Sequence, residues 1–407
     1  MPPAWRIFLA LLFGLAVGLL GAHLGWTTGF AQTIGDLWLD GLRMTIIPLI
    51  VALLVTGITR TAESARGGRL ALQSVVLFLA LLVTVTLIAA LLTPALLAAW
   101  PLSAESATAL GDALGKVAAP VAAPPLGDFL RSIVPTNPIA AAAQDAMLPL
   151  ILFVSLFAIA TTRLEPEPRD RIAGLFGAIE QAMLVIVGWV LWIAPIGVFA
   201  LAYVVGVRAG SAAIGALAHY IVIVAIVGLV ASALAFPIVA LATRVRLGHF
   251  VRAVAPVQAM ALSTQSSLAC LPAMLDACER LGIPRDAAGV PLPIAVALFR
   301  VTGPAMNLAV AIYVAHWTGV AIGPWTLLAG IAVATLTTIS AVSLPGQVSF
   351  LTSITPIAVA MGVPIEPLGV LVAVEMLPDL VRTVGNVTMD VATTAALTRE
   401  ERVETSV

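Results

Sequence analysis

The sequence predicts an all-α protein embedded in a membrane, and three observations carry that prediction. Hydrophobic residues make up 61% of the 407 and charged residues only 10%, against about 25% charged in average soluble chains. Apolar stretches of about 20 residues, the length a helix needs to cross a bilayer, recur along the chain. The last of them, Leu368 to Leu397, carries Glu375, Asp379, Arg382, Asn386 and Asp390 at intervals of four, three, four and four. At about 100° per residue these five fall within an arc of roughly 80° on one helix face. An ionisable group at the bilayer centre costs about 2.5–3.5 kcal/mol, so the stripe must face protein, water or a ligand.

The elements follow in order. Apolar runs near 5–24, 39–59, 70–99, 138–162, 175–206 and 214–243 read as membrane helices. The first, behind Arg6, reads as a span and not a secretory leader, because no small-residue cleavage site precedes a polar region and more spans follow. Basic residues gather in every second connection: Arg60, Arg66 and Arg69; Arg163, Arg169 and Arg171; Arg244, Arg246 and Arg252. Positive charge stays inside, which places these loops and both termini in the cytoplasm and the Ala/Pro-rich stretch 101–137 outside. The net charge of −1 offers no basic footprint, so nucleic acid is not an expected partner. Cys270 and Cys278 have neither metal nor disulfide spacing and read as free buried thiols.

Beyond residue 250 the sidedness yields a second inference. Arg280 and Arg285 form another basic cluster only about 30 residues after Arg252. The segment between must enter and leave by one face. At its middle stand Ser263-Thr264-Gln265-Ser266-Ser267 and Leu271-Pro272. That pattern is a re-entrant hairpin, about 250–285, whose non-helical tip is tolerated at membrane depth only in protein or a cavity. A span near 289–315 follows, and then 324–360 repeats the arrangement around Ser340-Ala341-Val342-Ser343-Leu344-Pro345-Gly346-Gln347. Two units of hairpin plus polar helix, dipping in from opposite faces, are the signature of the inverted repeats that hold a ligand at the midplane of secondary transporters.

Five segments, in this order, resemble the dicarboxylate/amino acid:cation symporters, the glutamate transporter homologue family. They are Val134-Pro135-Thr136-Asn137-Pro138, Ala194-Pro195-Ile196-Gly197-Val198-Phe199, Ser266-Ser267 with Leu271-Pro272, Pro345-Gly346, and Asp379-x-x-Arg382-Thr383-x-x-Asn386-Val387-Thr388-x-Asp390. The resemblance implies eight transmembrane helices, two re-entrant helical hairpins, a homotrimer and an elevator mechanism in a bacterial-type cytoplasmic membrane. It divides the single unit 1–407 into a scaffold, roughly 1–69 and 138–206, and a moving transport domain, roughly 70–100 and 214–398. The implied cargo is a small anionic or zwitterionic substrate such as aspartate, glutamate or a C4-dicarboxylate. The coupling ion would be Na+ or H+, with no cofactor.

Residue chemistry agrees with that implication. Arg382 offers a planar fork of donors suited to a carboxylate. By resemblance Asp379 accepts from the substrate ammonium, and Asn386 with the backbone of Ser266 and Ser267 holds the α-carboxylate. Thr383, and Leu344, Pro345 and Gly346 of the second tip, complete the substrate set. Arg300, Thr302, Glu375, Asn386 and Asp390 form the coupling set, with Asp390 as the candidate Na+ ligand.

Two departures from the family stand out. Phe299-Arg300-Val301-Thr302-Gly303 replaces the family's Asn-Met-Asp-Gly-Thr, and Ala80-Leu81 falls where it has Thr-Ser. Arg300 within a span needs an anionic partner, and Asp390 or Glu375 is the expected one. It would stand as a permanent substitute for a bound cation, with transport proton-coupled through Glu375 or another carboxylate, or running as exchange; the rival is a sodium site surviving around Asp390, with Arg300 binding substrate. His23, His219, His249 and His316 read as interfacial residues near span ends, and Asn307, Tyr313 and Glu180 as packing or rim residues. Gln265 replaces the tip arginine of many members. Enzyme chemistry is not expected, since no histidine neighbours the tip serines in sequence, and Asp379 and Asp390 share one helix.

Overall fold

A computed structural model describes residues 3–65, 68–103, 131, 133–144, 146–210, 212–340 and 346–400. Among them there are helices and no strands. The helices are α1 Pro3–Leu24, α2 Gly29–Ala65, α3 Arg69–Ala99, α4 Pro138–Ala143, α5 Met147–Thr161, α6 Pro166–Trp192, α7 Ala194–Ala209, α8 Ala212–Ala233 and α9 Ala235–Ala242. They continue with α10 Leu247–Thr264, α11 Leu271–Arg280, α12 Arg285–Ala288, α13 Pro291–Leu298, α14 Thr302–Thr318, α15 Pro324–Ser340, α16 Gly346–Ala360, α17 Leu368–Val374 and α18 Met376–Leu397. Among the described residues, six stretches are long and apolar enough to cross a membrane: Arg6–Leu24, Gly29–Ser64, Arg69–Ala99, Pro166–Trp192, Ile214–Ala242 and Arg285–Thr318.

Several apolar runs that read as single spans are broken. The run 175–206 ends one helix at Trp192 and starts another at Ala194, 214–243 breaks at Leu234, and 368–397 breaks at Glu375. Proline supplies the reason in each: Pro195, Pro237 and Pro378 lack an N–H, and their rings press on the carbonyl four residues earlier, near each break. Hydropathy reports solvent preference and is blind to such interruptions. The run 138–162 divides between α4 and α5, and Asn137 caps α4 by accepting from the backbone N–H of Ile139 at 3.0 Å and Ala140 at 3.1 Å. The predicted span 289–315 is likewise two helices, and Arg300 lies in the gap between them.

Packing separates two neighbourhoods. On one side α1 lies along α7, and α2 packs on α6 and α7. On the other, α14 packs on α3, while α18 is surrounded by α8, α9, α10 and α13. Helix α15 lies against α16 and also against α2, joining the two sides. The helices of each predicted hairpin pack on one another: α10 with α11, and α15 with α16. The first turns through Gln265, whose φ of 50° is the left-handed conformation that ends α10. The tip of the second, including Leu344 and Pro345, lies outside the described residues, and Gly346 opens α16.

Candidate functional site

The five polar residues of the last apolar run converge as their spacing requires. Glu375, Asp379, Arg382, Asn386 and Asp390 are all buried, on the face of α18 that meets α8, α10, α13 and α14. The helix breaks three residues before Pro378, so Glu375 sits at the junction of α17 and α18.

Arg382 is the hub. One terminal nitrogen, Nη1, donates to Glu375 Oε1 and to Asp379 Oδ1, the latter at 3.2 Å. The other, Nη2, reaches Asn307 Oδ1 on α14 at 3.4 Å. Asn307 is therefore part of the site and not packing, a correction that no local motif signalled; only its polarity within a wholly apolar helix face hinted at it. Asp379 and Arg382 are more than a private pair, because Glu375 shares the guanidinium. Thr383 donates its hydroxyl to the Asp379 carbonyl at 2.9 Å, an in-helix bond that uses its one proton and leaves its oxygen able to accept.

Asn386 is fixed from across the helix interface. Its Oδ1 accepts from the Thr302 backbone N–H at 3.0 Å and from the Thr302 hydroxyl at 2.8 Å. That N–H is one of the orphan donors at the start of α14, so a side chain of α18 caps a different helix. The Thr302 hydroxyl also lies 3.0 Å from the Arg382 carbonyl. Gly385 permits this approach, since a Cβ there would stand 2.0 Å from Ser232 Oγ and 2.6 Å from Thr302 Cγ2.

Several buried atoms of this cluster make no hydrogen bond: Arg382 Nε, Asn386 Nδ2, Glu375 Oε2 and both carboxylate oxygens of Asp390. Buried polar atoms are normally satisfied, and stranding one costs about 1–3 kcal/mol. Two donors and three carboxylate oxygens without hydrogen bonds thus lie along one buried helix face, between Glu375 and Asp390. Arg300 acts electrostatically on Asp379 and Asp390, and Arg382 lies within reach of the same field. Na+ prefers several hard oxygens, and Asp390 does not belong to any cluster of three or more acidic, histidine or cysteine groups among the described residues. The charge of Arg300 acts on Asp390, the candidate Na+ ligand.

The first hairpin reaches this region. Gln258 of α10 donates to Thr388 Oγ1 of α18 at 2.9 Å, and Cys270, at the start of α11, feels the Asp390 charge. Ser266 and Ser267 are half-buried at the tip; Ser266 Oγ accepts the Ala269 N–H at 3.3 Å. Cys270 and Cys278 are free and buried.

Glu180 is also no rim residue. It is buried on α6, accepts from Thr56 Oγ1 of α2 at 2.7 Å and lies 3.6 Å from Arg60, tying α2 to α6. His219 departs further from expectation: it is buried and hydrogen-bonded on both ring nitrogens, to Tyr313 and to the Trp100 carbonyl.

The sequence profile described as the sodium:dicarboxylate symporter family matches residues 4–400. The proton/glutamate-aspartate symporter of Escherichia coli K12 is 26% identical over 94% of this chain and 89% of its own length. The proton/sodium-glutamate symport protein of Bacillus subtilis is 26% identical over 95% and 89%. The C4-dicarboxylate transport protein of Anaeromyxobacter sp. strain K is 26% identical over 98% and 90%. These relatives are transporters, not enzymes.

Proposed function

We propose that this chain, which belongs to the sodium:dicarboxylate symporter family, carries an acidic amino acid or a C4-dicarboxylate across the bacterial cytoplasmic membrane in symport with a cation. The observation that carries the reading is the set of partnerless donors at Arg382 Nε and Asn386 Nδ2, buried beside an acidic pair. A substrate side-chain carboxylate would take Arg382 from Glu375, exchanging one charge-assisted bond for another of similar strength. Asp379 would accept the substrate ammonium. Asn386 Nδ2 and the Ser266 and Ser267 backbone would hold the α-carboxylate, with Thr383 alongside and Leu344, Pro345 and Gly346 closing the far side. Because Thr302 pins Asn386 through its oxygen, the amide nitrogen is turned toward the substrate.

Coupling follows from charge. Glu375, Asp379 and Asp390 outnumber Arg300 and Arg382 by one formal negative charge, and a buried excess charge calls for a counterion or a proton. Arg300 stands where the family holds a cation, so Glu375, once its arginine turns to the substrate, is the group that carries a proton. Replacing Arg300 with Met tests this: cation dependence or substrate preference should change, and indifference of both overturns the assignment. A dicarboxylate as cargo is favoured by one observation: Arg300 acts on Asp379, and an Asp379 held by Arg300 has less need of a substrate ammonium.

The larger motion is that of an elevator. Helices α1, α2 and α4 to α7 would form a scaffold, corresponding roughly to 1–69 and 138–206. The parts in 70–100 and 214–398, with the re-entrant hairpins at 250–285 and 324–360, would slide against it, giving eight membrane helices in all. Apolar side chains such as Trp189, Trp192 and Ile196 are exposed along α6 and α7, a surface suited to lipid or to the neighbours in a homotrimer. Uptake of labelled aspartate, glutamate and succinate into proteoliposomes, under separately imposed sodium and proton gradients, tests substrate and coupling together. Uptake of none of the three, under any gradient, removes the proposal.

A further inference from the structure

A cavity of about 600 Å³ opens where the first turns of α3 lie beside the end of α18. Arg69, Gln73 and Leu77 line it from α3, and Leu397, Arg399 and Glu400 from the last residue of α18 and just beyond. Its volume is in the range of sites that hold small molecules, about 300–1,000 Å³. Arg69 belongs to one of the basic clusters that the charge pattern assigns to the cytoplasmic face. Arg399 follows Asn386 by 13 residues, roughly 20 Å along a helix, so the cavity is separate from the polar cluster of α18.

The two arginines differ from several others that the charge pattern puts on this face. Arg60 lies 3.6 Å from Glu180, Arg169 2.9 Å from Asp170 and Arg285 2.8 Å from Glu279, while Arg171 pairs with Glu167. Arg69 and Arg399 make neither an ion pair nor a side-chain hydrogen bond among the described residues, and Glu400 is bonded to neither of them. Two guanidinium forks from two helices thus face one space, and a phosphate takes such forks bidentately. Two arginines and one glutamate leave the lining with a formal charge of +1, which a single phosphodiester neutralises.

The lining also changes with depth. Arg69, Gln73 and Leu77 are four residues apart and share one face of α3, with Leu77 about 12 Å deeper than Arg69. On the other wall Arg399 gives way to Leu397. Beside the cavity, Leu72 and Val76 of α3 are exposed and continue the apolar surface. Charge, then an amide, then hydrocarbon is the order of a phospholipid from headgroup to chain, and basic pockets between membrane helices on the cytoplasmic side suit anionic headgroups. We propose that this cavity holds the phosphodiester of an anionic phospholipid between Arg69 and Arg399, its acyl chains running past Leu77 into the bilayer. A free phosphate shares the headgroup chemistry and has no use for the leucines.

The test needs no transport. The purified full chain in detergent is titrated with dioleoylphosphatidylglycerol, with dioleoylphosphatidylcholine and with inorganic phosphate while its unfolding temperature is followed. Phosphatidylglycerol is expected to raise that temperature saturably, and the other two to leave it in place. In Arg69→Gln/Arg399→Gln the half-saturating concentration of phosphatidylglycerol should rise at least about tenfold. Arg244→Gln/Arg246→Gln removes two exposed arginines of the same face that no described ion pair holds, and should move it by less than about twofold. Where the first double variant fails to fold, Arg399→Gln alone carries the test, with a rise of about threefold or more. Equal losses in the two double variants would mean that bare surface charge binds the lipid, and would overturn the site. Stabilisation by phosphatidylcholine equal to that by phosphatidylglycerol overturns the recognition of charge. Equal stabilisation by inorganic phosphate overturns the lipid as occupant, and no response to phosphatidylglycerol overturns the proposal whole.

Discussion

Two helix contacts in this protein are close for opposite reasons. Where α1 meets α7 the contact is made by absence: a Cβ on Gly18 would stand 2.4 Å from the Tyr203 carbonyl oxygen, and one on Gly206 2.8 Å from that of Leu15. Small residues let backbones touch, which is how helices associate in lipid without a hydrophobic driving force. Where α18 meets α14 the contact is made by polar groups, with Thr302, Asn307, Arg382 and Asn386 exchanging hydrogen bonds across the interface. The first contact is satisfied within itself. The second leaves donors and acceptors over, and the proposed substrate site rests on that remainder.

Substitutions sharpen the contrast, beginning with the largest effect. Arg382→Ala should cost about 3–5 kcal/mol, because Glu375 and Asp379 are left as buried, uncompensated charges. Thermal unfolding in detergent should record that loss, and uptake should fall to background. Gly18→Ala should cost about 1–3 kcal/mol by forcing backbone apart. Its unfolding temperature should drop while the order of preference among aspartate, glutamate and succinate stays as in wild type; a changed order would mean the two contacts are not independent. Thr302→Val keeps the N–H bond to Asn386 and loses the hydroxyl, about 1 kcal/mol. Half-maximal uptake should shift to higher substrate concentration as the Asn386 amide loosens. Gln258→Met removes one half-buried bond to Thr388, about 0.5 kcal/mol, and should leave half-maximal uptake in place.

Much of the site could be read from the chain because it lies on one helix. Intervals of three and four determine which side chains share a face whatever the helix packs against, so Glu375, Asp379, Arg382, Asn386 and Asp390 were bound to cluster. Helix ends written by proline and asparagine were open to the same reading: Asn137 caps α4, and Pro378 marks the break that puts Glu375 at a junction. What stayed hidden were partners contributed by other helices. Asn307 and Tyr313 lie in an apolar helix where a single polar residue carries no periodic signal, and His219 differs from three exposed or terminal histidines only by what surrounds it.

The sequence alone determined that this chain lives in lipid, that it is helical, and that one face of its final helix is charged. Those properties depend on composition and on the 3.6-residue turn, both local quantities. Only the tertiary structure decided that Arg382 is shared between Glu375, Asp379 and Asn307, that Thr302 aims the Asn386 amide, and that His219 is enclosed between Tyr313 and Trp100. The bonds from Asn307, Thr302, Tyr313 and Trp100 depend on how far one helix is rotated and shifted against another 75 or more residues away, and no spacing along the chain encodes that rotation.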